Sequence, residues 1–293
     1  MRSLESQAIY IFRELSTQCN NPAILFSGGK DSIVLCHLAF KAFYPANINI
    51  PLVHIDTGHN FPETIEFRDK LVKEYGLNLI VGSVQEAIDE GIINDETGIG
   101  STRNYLQSPV LLKTLEDHNI DAAIGGGRRD EEKSRAKERV FSHRDIFGQW
   151  QPKNQRPELW HMYNARKKEG ESFRVFPISD WTELDVWQYI QDQNIELPSL
   201  YYAHDRAVFE RDGMLLAESE YNPMKDDESS SIQRVRCRTI GDITCTGLWV
   251  SQATNNEEII KEIIQSEYTE RGGRADDKRS ETSLEDRKKE GYF

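Results

Sequence analysis

Four short apolar runs, each answered by a stretch with helical spacing, constrain this chain more than any other feature. "AILF" (23–26) leads into a helix expected from Asp31 to about Phe43, and "INIPLVHID" (48–56) leads through "TGHNFPE" into another from about Glu63 to Tyr75. "LNLIVGS" (77–83) precedes the helical "SPVLLKTLEDHNI", and "DAAIGG" (121–126) closes the series. Strand and helix in alternation predict an α/β fold, a parallel-stranded sheet with helices on both faces. Right-handed crossovers then gather the strand-to-helix loops along one edge. Sheets of this kind bind ligands there, outside the carboxyl ends of the strands.

Three loops with unusual chemistry leave those ends: "SGGKDS" (27–32), "DTGHN" (56–60) and "GGGRRDEEKSRAKER" (125–139). In the first, Gly28 and Gly29 let main-chain N–H groups turn inward with no Cβ in the way. The helix start at Asp31 adds free N–H groups and a positive dipole end. Ser27 and Ser32 add hydroxyls, and Lys30 adds a full positive charge, so the loop forms an anion cradle suited to phosphate oxygens. Asp31 is out of place beside phosphates unless it caps the helix or binds a magnesium ion standing between it and them. GxxxxGK[ST] occurs nowhere in the chain, so this is not a Walker A loop.

In the second loop, Asp56 and Thr57 lie at a strand end, placed to hydrogen-bond a nucleotide; a loop cap is the plainer alternative for Thr57. His54 reads as a packed strand residue. His59 lies beyond a glycine, so His54, Asp56 and His59 do not imply three converging metal ligands. In the third loop, Arg128 and Arg129 directly follow three glycines at a strand end, where guanidinium forks fit phosphate and sulfate oxygens. Arg135 and its neighbouring cations suit an anion or, equally, a solvated helix face with pairs such as Glu131–Arg135.

The formal net charge of −13 over 293 residues argues against wholesale wrapping of nucleic acid or of an anionic membrane, without forbidding a local basic pocket. "MRSLESQAIYIFREL" is an amphipathic helix with Ala8, Ile9, Phe12 and Leu15 at helical spacing. It lacks the apolar core of a signal peptide, so the cytoplasm is expected. Four cysteines (Cys19, Cys36, Cys237, Cys245) form no CxxC pair and are too few for a disulfide scaffold.

Beyond residue 140 regularity loosens. A long polar, aromatic loop is expected over 149–172, a fifth strand over 173–179, and a helix after it, with Thr182 and Asp185 at capping-box spacing. Asp212–Gly213 predicts a turn. The reading divides the chain into an α/β domain over 1–215 and a C-terminal extension over 216–293. The polar end of that extension is expected to be mobile or ordered by a partner.

"SGGKDS" resembles the PP-loop of the ATP pyrophosphatases, whose fold is adenine nucleotide alpha hydrolase-like. "KAFYP", "DTGHNFPETIEFRD", "GGGRRDEEKSRAKER", "PKNQRPELWHMYN", "RVFPISDWTELDVWQYI", "ERDGML" and the terminal "KKEGYF" together resemble the small-subunit family of bacterial ATP sulfurylase, over nearly the whole chain. The resemblance implies a sulfate adenylyltransferase of sulfate assimilation, converting ATP and sulfate to adenylyl sulfate and pyrophosphate, with Mg2+. Ser27 to Ser32 would grip the pyrophosphate, and Lys30, Arg128 and Arg129 would carry catalysis. The large subunit, a GTPase, would drive the uphill step. The adenylylsulfate and phosphoadenylylsulfate reductases share the loop and the arginine stretch, but they need a reactive thiol in a C-terminal Glu-Cys-Gly element that this chain lacks. A nucleotide-sensing interaction protein without chemistry is a further alternative.

Overall fold

The protein is described from a computed structural model covering residues 1–47, 49–95, 98–131, 137–266 and 270. The four apolar runs become strands β1 (Pro22–Leu25), β2 (Leu52–Asp56), β3 (Leu79–Ser83) and β4 (Ala122–Ile124). Two further strands, β5 (Phe141–Arg144) and β6 (Ser172–Val175), complete a six-stranded sheet of order β3-β2-β1-β4-β6-β5. All neighbours run parallel except β5, which pairs antiparallel with β6 and closes that edge. The sequence foretold β6 but not β5. "FSHR" is buried at every position, so it shows none of the alternation that marks a half-buried strand.

The period-two pattern of the strands sorts their side chains to opposite faces. Ile24, Leu52, Ala122, Ile124, Phe173 and Val175 pack on one side with helices α1 (Arg2–Gln18) and α2 (Lys30–Phe43). Ala23, Leu25, Val53 and Ala123 pack on the other. Phe67 of α3 (Pro62–Tyr75) belongs to the first side. A short α4 (Val84–Asp89) follows β3, and Leu111 and Leu115 of α5 (Gln107–Asp117) cover the second side. Both faces are thus clothed, as a parallel sheet requires.

Helix α6 (Glu183–Gln193) starts where its sequence says it must. Thr182 accepts from the Asp185 N–H, and the Asp185 carboxylate accepts from the Thr182 N–H. Such a cap is worth about 1 kcal/mol.

After α6 the chain closes a small antiparallel barrel from β7 (His204–Arg211), β8 (Met214–Ala217), β9 (Ser231–Cys237) and β10 (Leu248–Val250), in the order β10-β8-β7-β9. The β7–β8 hairpin turns at Asp212 and Gly213, both with positive φ (51° and 70°), as the Asp-Gly pair predicts. Residue 215, where the sequence reading divides the chain, falls inside β8. Val208, Ala217, Val235, Cys237 and Leu248 of the barrel join the same core as α1, α2 and α6, together with Ile259 of α7 (Asn256–Gln265). No helix among the described residues is long and apolar enough to cross a membrane.

Candidate functional site

The carboxyl edge of the sheet opens into a crevice with an interior of about 170 Å³. On one side stands the loop from β1 to α2. Gly28 takes φ +74°, and a Cβ there would come within 2.4 Å of the Thr64 methyl on α3, so only glycine fits. The Ser27 hydroxyl accepts from the Gly29 N–H at 3.3 Å, and the Ser32 hydroxyl donates to the Gly29 carbonyl at 2.8 Å. The helix begins at Lys30, one residue before the expected start. The Lys30 N–H donates to the phenol oxygen of Tyr201 at 2.7 Å, and that ring sits edge-on to Trp187 with centroids 5.7 Å apart.

The segment after β4 is drawn against this first helical turn. A Cβ on Gly126 would lie 2.8 Å from the Asp31 Cβ, so the missing side chain is what allows the approach. Arg128 is fully buried there, and its Nε donates to Asp31 Oδ1 at 2.8 Å. The Lys30 ammonium, 1% exposed, donates to Asp31 Oδ2 at 3.0 Å. Glu270 lies between the two cations, one carboxylate oxygen on Lys30 Nζ and the other on Arg128 Nη2. Two buried cations therefore face Asp31 and Glu270, and Asp130 adds a third acid 3.7 Å from Arg128 Nη1.

The directions of titration follow from that arrangement. Burial disfavours the Lys30 ammonium, yet the Asp31 and Glu270 carboxylates outweigh it and raise its pKa. Burial alone would raise the Asp31 carboxyl, but Arg128 and Lys30 hold it below the ordinary value. For Glu270 burial prevails over the same two cations, and its pKa is raised. The Tyr201 phenol is raised by burial and stays protonated.

The facing wall comes from the barrel. Thr239, Ile240, Gly241 and Asp242, between β9 and β10, line the crevice. Asp242 accepts from the Thr57 hydroxyl at 2.8 Å, and the Ile243 N–H donates to the His59 carbonyl at 2.9 Å, fastening the loop after β2 to the barrel. Asp56 Oδ1 accepts from the Gly58 N–H at 2.8 Å and from the Asn60 amide at 3.2 Å. His54 is buried, with Nδ1 2.9 Å from the Phe26 carbonyl, and burial lowers its pKa.

The structure thus brings Ser27, Gly28, Gly29, Lys30, Asp31, Ser32 and Arg128 together. It does not bring Arg129 with them: that guanidinium turns to Asp180 and donates to the Glu138 carbonyl at 3.3 Å. Asp56 and Thr57 do not line the crevice, although Ile55 and Asn60 beside them do; Thr57 is fully buried, and both spend their hydrogen bonds within the protein. Arg135 lies outside the described residues. Three residues escaped the sequence reading: Tyr201, Asp242 and Glu270. Of these only Asp242 had a local signal, the Gly-Asp turn pair in "TIGDITCTG".

The phosphoadenosine phosphosulfate reductase domain family matches residues 21–248, which span the parallel sheet and the glycine loop at its carboxyl edge, and the chain belongs to that family. Within that class it belongs with the proteins called sulfate adenylyltransferase subunit 2. It is 56% identical to the one from Mycobacterium sp. (strain KMS), covering 100% of this chain and 94% of that protein. It is 55% identical to the one from Streptomyces lavendulae, covering 99% and 91%. Among solved structures, the phosphoadenylyl-sulfate reductase of Candida auris in its phosphate complex is 14% identical, with a TM-score of 0.45 over 66% of this chain and 83% of that one.

Proposed function

We propose that this protein adenylylates sulfate: a sulfate oxygen attacks the α-phosphorus of ATP, the bond to the bridging oxygen breaks, and pyrophosphate leaves with the electron pair. The observation that carries the reading is the approach of Arg128, from the loop after β4, to Lys30 and Asp31 in the first turn of α2, with Asp31 and Glu270 shared between the two cations. Sulfate and the α-phosphate are both anions, so the site must neutralise them and hold them in line; sulfate is already ionised and needs no general base.

In this reading Lys30 and the free N–H groups of α2 hold the β- and γ-phosphates, and Arg128 reaches toward the α-phosphate. The Tyr201 oxygen already accepts from Lys30, which leaves its proton for a phosphate oxygen. Arg129 must leave Asp180 to share sulfate with Arg128. Arg135 is assigned to the nucleotide's anionic end.

Asp31 is a partly exposed hard-oxygen donor at the cradle, and among the described residues no group of three acidic, histidine or cysteine side chains forms a cage. Both Asp31 oxygens accept from Arg128 and Lys30, so a Mg2+ would be held chiefly by substrate phosphates, with Asp31 as its protein ligand through its remaining lone pairs, and would neutralise charge on the departing pyrophosphate.

Reduction is disfavoured by the thiols. All four cysteines are buried, and burial pushes Cys19 up to about 11 and Cys237 up to about 12, far from the thiolate a reductase needs.

The relatives' name, subunit 2, implies a second subunit. The resemblance to the ATP sulfurylase small-subunit family implies that this second subunit is a GTPase, whose hydrolysis would drive formation of the high-energy mixed phosphoric–sulfuric anhydride. The enzyme would work in the cytoplasm. The test is pyrophosphate release from ATP by the paired subunits with and without sulfate: release should rise with sulfate, and sulfate-independent or absent release refutes the reading.

A further inference from the structure

Segment 156–166 is nearly devoid of regular structure, yet it is pinned on both sides of an apolar knob. Ahead of the knob, the Glu158 carboxylate accepts from the Val140 and Phe141 N–H groups at 3.0 and 2.8 Å. Behind it, the Tyr163 ring stacks on Phe141 with centroids 4.9 Å apart, and the Ala165 N–H donates to Gln18 at 2.8 Å. Between these anchors Leu159, Trp160 and Met162 stand 60%, 82% and 58% exposed.

Trp160 and His161 both hold left-handed φ angles (54° and 57°), a conformation that bulky residues avoid. The fold therefore maintains an unfavourable backbone in order to present an indole to solvent. A rigid tryptophan with apolar neighbours has the composition of an interface hot spot, with its ordering cost met before any encounter.

The surrounding charge is equally particular. Lys153, Arg166 and Lys168 are exposed along the same loop against one exposed acid, Glu169, in a chain whose net charge is −13. We infer that this knob is the docking surface for the second subunit, whose matching face is an apolar pocket rimmed by acidic side chains. The inference rests on the two-subunit reading above. A symmetric pair of these chains would set the same cations against their own copies, and a head-to-tail pair would leave the knob of the last copy bare.

The position suits a partner that must influence the reaction. His161 Nδ1 lies 3.5 Å from Gln7 Nε2, which donates to Asp180 at 3.3 Å, and Asp180 holds Arg129. The knob is thus joined by a short run of side-chain contacts to the residue next to Arg128.

The test is the affinity of full-length Trp160→Ala for the GTPase subunit, by calorimetry or light scattering, beside Arg166→Glu/Lys168→Glu. The tryptophan variant should bind roughly 30-fold or more weakly, the size of a hot-spot loss. Charge reversal should slow association with a salt dependence. At saturating partner, both should regain wild-type sulfate-dependent pyrophosphate release. Unchanged affinity in both variants overturns the proposal, as does a wild-type homodimer that Trp160→Ala dissociates while leaving the mixed complex intact. Absence of sulfate-dependent release even from the wild-type pair would count against the functional reading instead.

Discussion

The two walls of the crevice hold themselves together by different means. The sheet wall is built on buried charge: Lys30 and Arg128 are almost wholly withdrawn from water and face Asp31 and Glu270. The barrel wall is built on short-range polar contacts, chiefly the Thr57–Asp242 hydrogen bond and the main-chain link from Ile243 to His59. Charges in a dry setting interact strongly and leave large gaps when one is removed, whereas a main-chain hydrogen bond contributes about 1 kcal/mol and a hydroxyl bond to a carboxylate about 1.5–3 kcal/mol. The contrast assigns grip to the first wall and shape to the second.

The sharpest way to break that contrast is Lys30→Ala. Loss of a donor aimed at the departing pyrophosphate should lower kcat/KM about a thousand-fold, read as pyrophosphate release in a protein whose circular dichroism is unchanged. Near-normal turnover would remove grip from the sheet wall altogether.

The next effect compares neighbours. Arg128→Ala should cost about a hundred-fold in turnover at limiting sulfate, and about 3 kcal/mol in denaturant unfolding because the buried Glu270 and the partly exposed Asp31 carboxylates lose a partner. Arg129→Ala, at a half-exposed pair with Asp180, should shift stability by less than about 1 kcal/mol and activity less than its neighbour does. Equal losses in both would show that the two guanidiniums act as a pair.

The smallest effect is on the barrel wall. Asp242→Ala should raise KM for ATP by about ten-fold with kcat little changed, because it loosens a surface that positions without touching the reacting atoms. A large fall in kcat would make the barrel wall part of the gripping machinery.

How much of this could be read from residue order depends on how local each cause is. Helix α6 was legible because Thr182 and Asp185 cap each other across three residues. The cradle was legible because Ser27 to Ser32 supply glycines, hydroxyls and a cation within one turn. Strand β9 was not: "SIQRVRC" carries two arginines, and Arg236 is buried only because Glu262 of α7 meets it. Arg238, just past the strand, is likewise buried by a pair with Glu183 of α6. Partners from remote elements override a polar pattern that looks exposed. The same reason hid Tyr201 and Glu270, whose meeting with Lys30 is set by topology across 171 and 240 positions of chain. Arg128 and Arg129 show the limit at closest range. Neighbours in sequence, they part because one faces α2 and the other Asp180.

Glu270 gives the cradle a consequence of its own. Because a carboxylate already bridges Lys30 and Arg128, a nucleotide bound as proposed would enter by exchanging one anion for another. Occupancy would then follow the difference between two affinities, and any change that loosens the acid would tighten the apparent hold on the triphosphate.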